Sequence, residues 1–489
     1  MRTIVVATLA VSLAWAQKAP EHGKKYARLL VRNALVVVGD GSPAAGPKDI
    51  LIENGVITRI ASGDAMTRTL QSLTGGASGG RVEVDAEIDA RGQYVLPGFI
   101  NAHAHIQEER GGRPQPVDYC LKLWLACGIT TIRDVGSNLK NSLSLREKSE
   151  RGEVAAPRIF LYPMFRRTDN AENAREQIRA FKAAGADGVK TTGLPRDIFD
   201  VMSDEARKQG LPLAHHVGVE ETNAWDDIRN GTRSIEHWYG IPDAALPDKV
   251  QSFPSNYNYN NETHRFRWGG RLWREANWDL LMKVFDAMIA KNVYWDPTMS
   301  IYEASRDSIR AQNQPWFKEY LHPALQGFFD PNPQNHGSYF EGWTSTDEAY
   351  WKENYRIWMN ALREFERRGG TIGVGDDAGF IYSIYGFGYI RELELHQEAG
   401  FHTLKVIQHA TANNAKILGK EDRIGRLREG MSGDLIVLNG NPLEDLKILY
   451  PGMGGIEWTV KAGIPYHAPT LAAEVRKLVA DARAAKAKK

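Results

Sequence analysis

FINAHAH, residues 99–105, is an apolar run that closes on two histidines standing two positions apart. Seven later stretches have the same form, a short apolar strand ending in polar residues: ITTIRDVG (129–136), IFLYPMF (159–165), DGVKTTG (187–193), LPLAHHVG (211–218), RSIEHWYG (233–240), VYWDPTM (293–299) and TIGVGDDAG (371–379). Segments of helical period separate them. Strands alternating with helices pair in parallel through crossovers, so the fold class is α/β, and eight such units predict a TIM-type (β/α)8 barrel over residues 94–425. Landmarks at His103, Thr131, Leu161, Lys190, His215 and His237 lie 22 to 30 residues apart, whereas the steps on to Asp296 and Asp377 are 59 and 81. Insertions at about 240–278 and 300–358 therefore follow the sixth and seventh strands, on the face where barrels keep their active sites.

Outside the barrel the pattern changes. Residues 27–93 form the first β part, in which Ala27 to Ile60 alternates β-branched runs with the turn formers Gly39-Asp40-Gly41 and Asn54-Gly55, a hairpin signature. A Gly- and Ser-rich loop follows at Thr74 to Gly80, then a strand at Arg81 to Ala90. Residues 426–470 carry two more strand segments, Gly430 to Asn439 and Thr459 to Tyr466, which predicts one composite β-sandwich built from both chain ends. Residues 471–489 read as a solvated, basic helical tail. Residues 1–16 place Arg2 before the apolar run Ile4 to Leu13 and end in Ala14-Trp15-Ala16, the pattern of a cleaved signal peptide. That predicts an exported protein, periplasmic or extracellular, with no stable membrane insertion after cleavage.

The composition excludes several classes. With 61 Lys plus Arg against 60 Asp plus Glu, the net charge of +1 offers no field for nucleic acid. Two Cys make no disulfide framework. Cys120 and Cys127 fall in one helix, read as Val117 to Ile129, too far apart to bridge, and are expected as free buried thiols.

His103 and His105 share one side of a strand, so both imidazoles can reach one cation. An isolated pair is weak, but other strand ends offer Lys190, His215 or His216, His237, and Asp376 or Asp377. Neutral imidazoles with carboxylates suit zinc, and catalytic zinc sites keep a position open for water. Lys190 has no lone pair to give as an ammonium; it serves either as a carbamate formed with CO2 or as the partner of an acid.

The strings VLPGFINAHAHI, TTIRD, GADGVK, SIEHW, GDDAG, TANNAKILG and RIGRLREGMSGDLIVLNGNPLED together resemble the amidohydrolase superfamily, in its imidazolonepropionase and prolidase-like branch. The resemblance implies a metal-bearing barrel with a composite β-sandwich. It implies that His103 and His105 bind the more buried of two divalent metal ions, zinc by preference. A carboxylated Lys190 bridges to the second, which His215 and His237 hold. Asp377 completes the first and acts as catalytic acid and base. Two alternatives stay open: Asp376 for Asp377, and His216 for His215, with His215 preferred because the family's H-A-H-G aligns on Gly218. The implied reaction is attack by a metal-bridging hydroxide on a small amide or peptide bond, in a dipeptide or an N-acyl amino acid. The rival readings are a cyclic amide or lactone hydrolase, a mononuclear deaminase, and a non-catalytic periplasmic binding protein.

Arg133, Arg166, Arg167 and Tyr239 follow strand ends and are candidates to clamp a substrate carboxylate. Seven of the thirteen Trp fall in the insertions, where they serve either as a lid over the barrel mouth or as cores of extra helices. His264, His322, His336, His396, His402 and His409 lack strand-end placement and are read as structural.

Overall fold

The computed structural model describes residues 19–66, 84–136, 138–217, 222–248, 253–258, 261–330, 332, 340 and 342–487. The expected signal peptide, the loop Thr74 to Gly80, residues 81–83, His336 and Gly218 lie outside the described residues. No described helix is long and apolar enough to cross a membrane.

Among the described residues, seven regular strands form the barrel wall. The first three, Phe99–Ala104, Ile129–Val135 and Arg158–Tyr162, pair in parallel, as do the next four, Val189–Thr191, Leu213–His215, Ser234–Glu236 and Tyr294–Asp296. Backbone bonds around Lys190 join the two sets, Lys190 N to Pro163 O at 3.0 Å and Phe165 N to Lys190 O at 2.8 Å. The stretch TIGVGDDAG closes the circle, though not as the regular eighth strand its pattern predicts. It touches the seventh strand at one bridge, Trp295 with Ile372, and the first strand through Ala102 N to Val374 O and Asp377 N to His103 O. Its alternating glycines explain the irregularity: a Cβ on Gly375 would stand 2.4 Å from the His103 Cβ, so the backbones cross where no side chain fits.

Asparagine starts four of the surrounding helices. Asn138, Asn170, Asn223 and Asn277 accept backbone N–H bonds at the heads of Leu139–Arg151, Ala171–Ala183, Ala224–Asn230 and Trp278–Ala290, satisfying donors that an α-helix leaves open. The helix read as Val117 to Ile129 is shorter, Val117–Ala126. Gly128 turns the chain at φ +79° and Ile129 already belongs to the second barrel strand. Cys120 and Cys127 are free and buried.

Both chain ends supply one eight-stranded sheet. Its path runs Ile464–His467, Ile456–Lys461, Leu435–Leu438, Tyr94–Pro97, Arg28–Val36, Ala45–Glu53, Val56–Ala61, with Ala86–Asp89 beside Arg28–Val36. Asn54 and Gly55, at φ +50° and +83°, make the tight turn between Ala45–Glu53 and Val56–Ala61. The segment Thr459 to Tyr466, read as one strand, is two antiparallel strands that reverse at Ala462-Gly463, both with positive φ.

The expected solvated tail is instead a packed helix, Ala468–Ala487, which buries Leu471, Val475 and Val479 and lies against Val117–Ala126. Its apolar positions recur at helical spacing, and Arg483 donates to the carbonyls of Phe317 and Leu321. Leu471→Ala should therefore cost about 2–5 kcal/mol in urea denaturation, the range for truncating a buried leucine, where a solvated tail would lose nothing.

Candidate metal centre

A cavity of about 360 Å3 opens at the C-terminal ends of the barrel strands, and His103, His105, Lys190, His216, His237 and Asp377 line it. His105 Nε2 lies 2.9 Å from Asp377 Oδ1, with His103 Nε2 at 3.7 Å from the same oxygen and His237 Nε2 at 3.8 Å from Oδ2. Lys190 Nζ is 3.4 Å from His103 Nε2. One nitrogen of each of the two buried histidines is already engaged: His103 Nδ1 donates to Glu236 at 2.5 Å, and His237 Nδ1 lies 2.5 Å from Thr298 Oγ1. That leaves Nε2 of both rings for the cavity, the arrangement that orients metal-bound imidazoles.

Strand parity decides the ambiguous fifth strand, and it corrects the expected ligand. Lys190 faces the cavity and is in register with Ala214, so Ala214 and His216 face inward while His215 and Thr191 face out. His215 is buried among helices, stacked on Phe199 at 4.5 Å and 2.8 Å from Asp227. His216 lies 4.5 Å from the His237 ring and lines the cavity. The wrong choice came from aligning on Gly218, which carries no information about facing.

Alternation alone would send His237 outward, because Glu236 before it points in. Its φ of +64° breaks the alternation and returns the ring to the cavity; Thr298 and Asp377, at φ +45° and +46°, are left-handed too. Strain of this kind collects at functional sites. Asp376 faces away, accepting from Asn101 Nδ2, Ala378 N and Gly386 N, and burial pushes its carboxyl up to about 7.

The electrostatics suit a cation. Burial, then the Lys190 charge, holds His103 well below the ordinary imidazole value, and burial and His103 do the same to His237, so both rings are neutral donors. Burial raises the Asp377 carboxyl, but His103, His105 and Lys190 outweigh it and keep the group ionised. Lys190 is brought down to about 8, mainly by burial, with Glu236 and Asp377 opposing. Donor atoms of His103, His105 and Asp377 all lie within 4.8 Å of one another, so the residues fit a divalent ion.

A second acidic cluster, His103 with Glu236 and Asp296, lies just beneath, but Arg133 neutralises it. This corrects the expected role of Arg133. The side chain is fully buried inside the barrel, donating to Glu236 at 2.8 and 2.9 Å, Ser234 at 2.8 Å, Asp296 at 3.4 Å and the Ala102 carbonyl. Tyr239 is buried behind the cavity with its ring on His216 at 4.9 Å. Arg166 is exposed and turned away; its backbone bonds to Gln177, and it is the neighbouring Arg167 that lines the cavity. None of Arg133, Tyr239 and Arg166 lines the cavity. Residues that the sequence reading passed over include Glu236, Thr298 and Arg265, the last on the helix Glu262–Gly269. Glu236 sits inside the quoted SIEHW beside His237, and an acid at an inward strand position was the signal for it.

The insertions answer both readings offered for them. Trp273, Trp351 and Trp358 are fully buried helix cores, Trp278 is 43% exposed, and none of the seven lines the cavity. The cover comes from Arg265, Phe266, Ile301 and Tyr302 of the same segments. Among the histidines read as structural, His322 and His402 cap helices, and His396 pairs with His409 at 3.0 Å.

The sequence model of the Amidohydrolase family matches residues 94–321 and 352–464. The chain belongs to the amidohydrolase family. Members of this family generally bind divalent metal, and the unmatched gap between the two spans falls within the second insertion. An adenine deaminase of Listeria monocytogenes is 35% identical over 99 residues, 20% of this chain and 16% of that relative. A dihydroorotase of Staphylococcus epidermidis is 25% identical over 217 residues, 41% of this chain and 48% of that relative. The chain thus aligns with less than half the length of either. A solved Xaa-Pro dipeptidase with bound methionine in its active site shares the fold at a TM-score of 0.62 and 19% identity, over 90% of this chain and 100% of that one.

Removing Arg133 would leave two acids buried without a counter-charge. Arg133→Met should lower stability by about 3–5 kcal/mol, the cost of breaking a buried ion pair from one side, read from denaturant unfolding of the metal-free protein.

Proposed function

We propose that this amidohydrolase cleaves a small amide or peptide bond, in a dipeptide or an N-acyl amino acid, using two divalent metal ions of which zinc is the first choice. The observation that carries the reading is the meeting of six metal-competent side chains from five barrel segments around one cavity. His103, His105 and Asp377 would hold one ion and His216 and His237 the other. Lys190 would lie between them as a carbamate; its amine, lowered to about 8, has a neutral fraction at physiological pH able to take up CO2, which supports that assignment. When bound, such ions supply Lewis acidity at the scissile carbonyl and a hydroxide nucleophile near neutral pH.

The chain's own groups do the rest. Asp377, with Oδ1 turned to His105 and Oδ2 toward His237, would accept the proton of the attacking water and return it to the leaving nitrogen. Glu236 and Thr298 fix the His103 and His237 rings, while Phe266, Tyr302 and Phe380 line the mouth and exclude water. Export belongs to the same proposal, and the pattern of residues 1–16 supports it.

Chelation should abolish turnover of a mixed panel of dipeptides and N-acyl amino acids, and a divalent ion should restore it. Asp377→Asn should lower kcat by about 10^2–10^4. Lys190→Ala should lose activity that short-chain carboxylic acids partly return; a fully active, metal-replete alanine variant would sink the carbamate. Elemental analysis separates the two fifth-strand histidines, with metal lost in His216→Ala and kept in His215→Gln.

A further inference from the structure

We propose that Ile381 sets how long a side chain the departing amino acid can carry, by closing the cavity off from a small recess behind it. The inference rests on the amide-hydrolase reading above and names the residue that selects among its substrates. Two spaces adjoin here. The cavity of about 360 Å3 has Phe380 and Ile381 in its wall. The recess, of about 30 Å3, has apolar walls from Trp316, Ile384 and Phe387 beside Ser300 and Ser383. Among the described residues, Ile381 is the one side chain common to the walls of both.

The backbone is strained to put it there. Ser383 N donates to the Phe380 carbonyl at 2.8 Å across Ile381 and Tyr382, whose φ of +43° and +62° carry the signature of a type I′ turn. Such a turn favours Asn and Gly, and a β-branched isoleucine at positive φ is an outlier. Strain of this sort persists only where the surroundings over-determine it. Here they do so from several sides. Gly379 N donates to the Ser383 carbonyl at 2.9 Å, and a Cβ on Gly388 would stand 2.2 Å from Ser383 Oγ, so the helix Phe387–Glu398 abuts the turn. Tyr382 stacks on Phe340 at 5.6 Å between ring centres and lies 5.3 Å from Phe329. With its neighbour anchored on those rings, Ile381 stays 4% exposed between the two spaces.

Asp377 decides which part of the substrate meets this wall. In the proposed reaction it returns a proton to the leaving nitrogen, so the departing amino acid lies on its side of the cavity. His105 stands 2.9 Å from Asp377 Oδ1, and the Phe380 ring lies 5.6 Å from the His105 ring, which sets Phe380 and Ile381 beside that amine rather than beside the acyl group. The amino-acid side chain therefore runs toward Ile381 and stops against it, because a packed wall resists added methylenes.

The test measures free amino acid released from two series. One is N-acetyl amino acids with unbranched side chains from methyl to hexyl; the other is N-acyl alanines whose acyl chains lengthen by the same steps. Metal-loaded wild type, Ile381→Ala, Ile381→Gly and Ile381→Leu are compared, with urea midpoints and metal content confirming the fold. Glycine suits the left-handed backbone, so one truncated variant keeps the turn unstrained. In wild type kcat/KM should drop by about 10- to 100-fold once the side chain outgrows the cavity, the size of an overpacking cost. In the Ala and Gly variants that drop should come about two methylenes later, the room that the recess and the lost carbons give. Ile381→Leu should keep the wild-type limit, and the acyl series should keep its profile throughout. Three results overturn the proposal: no drop across the side-chain series in wild type, a limit that stays put in both truncated variants, or a shift confined to the acyl series. Wild type that releases nothing from any dipeptide or acylated amino acid fails the amide-hydrolase reading itself, and the two failures are distinct.

Discussion

The ion pair between Arg133 and Glu236 organises this barrel. A guanidinium and a carboxylate, both fully buried, are tolerable only because each finds further partners: Arg133 reaches the first strand at Ala102, the sixth at Ser234 and the seventh at Asp296. Glu236 spends its remaining capacity on His103 Nδ1. One contact therefore ties the second strand to three others and also selects which nitrogen of His103 faces the cavity. The site is built on that layer, and its geometry is inherited from it.

Much of this could be read from residue order, because parallel strands must end on one rim and chemistry-bearing residues recur at those ends. His103, Lys190, His237 and Asp377 fall where strand ends place them. Facing was harder to read. Between His215 and His216 the choice depends on register with Lys190, and register is a property of the paired strands rather than of either sequence. His237 and Asp377 reach the cavity only by left-handed backbone that no alternation rule anticipates. Arg133 looked like a clamp because it follows a strand end, yet in a closed barrel such a position points into the core.

The tail and the eighth segment were misread for opposite reasons. Ala468–Ala487 is so rich in Ala, Lys and Arg that its narrow buried stripe is hard to see, although Leu471, Val475 and Val479 recur at helical spacing. TIGVGDDAG looked like a strand by its apolar start, but its glycines serve close crossing of backbones rather than pairing. The insertions misled by composition: tryptophan drew attention to the lid, while the residues that reach the cavity are its neighbours, Arg265 and Phe266.

The sheet that joins the two ends of the chain has a consequence for biogenesis. Tyr94–Pro97 leads through Gly98 straight into the first barrel strand, and its edge stays open until Leu435–Leu438 arrives to pair with it. A growing polypeptide cannot complete either unit from its N-terminal half alone. The sheet closes at this edge only after every barrel strand has been made, so its pairing comes late in folding.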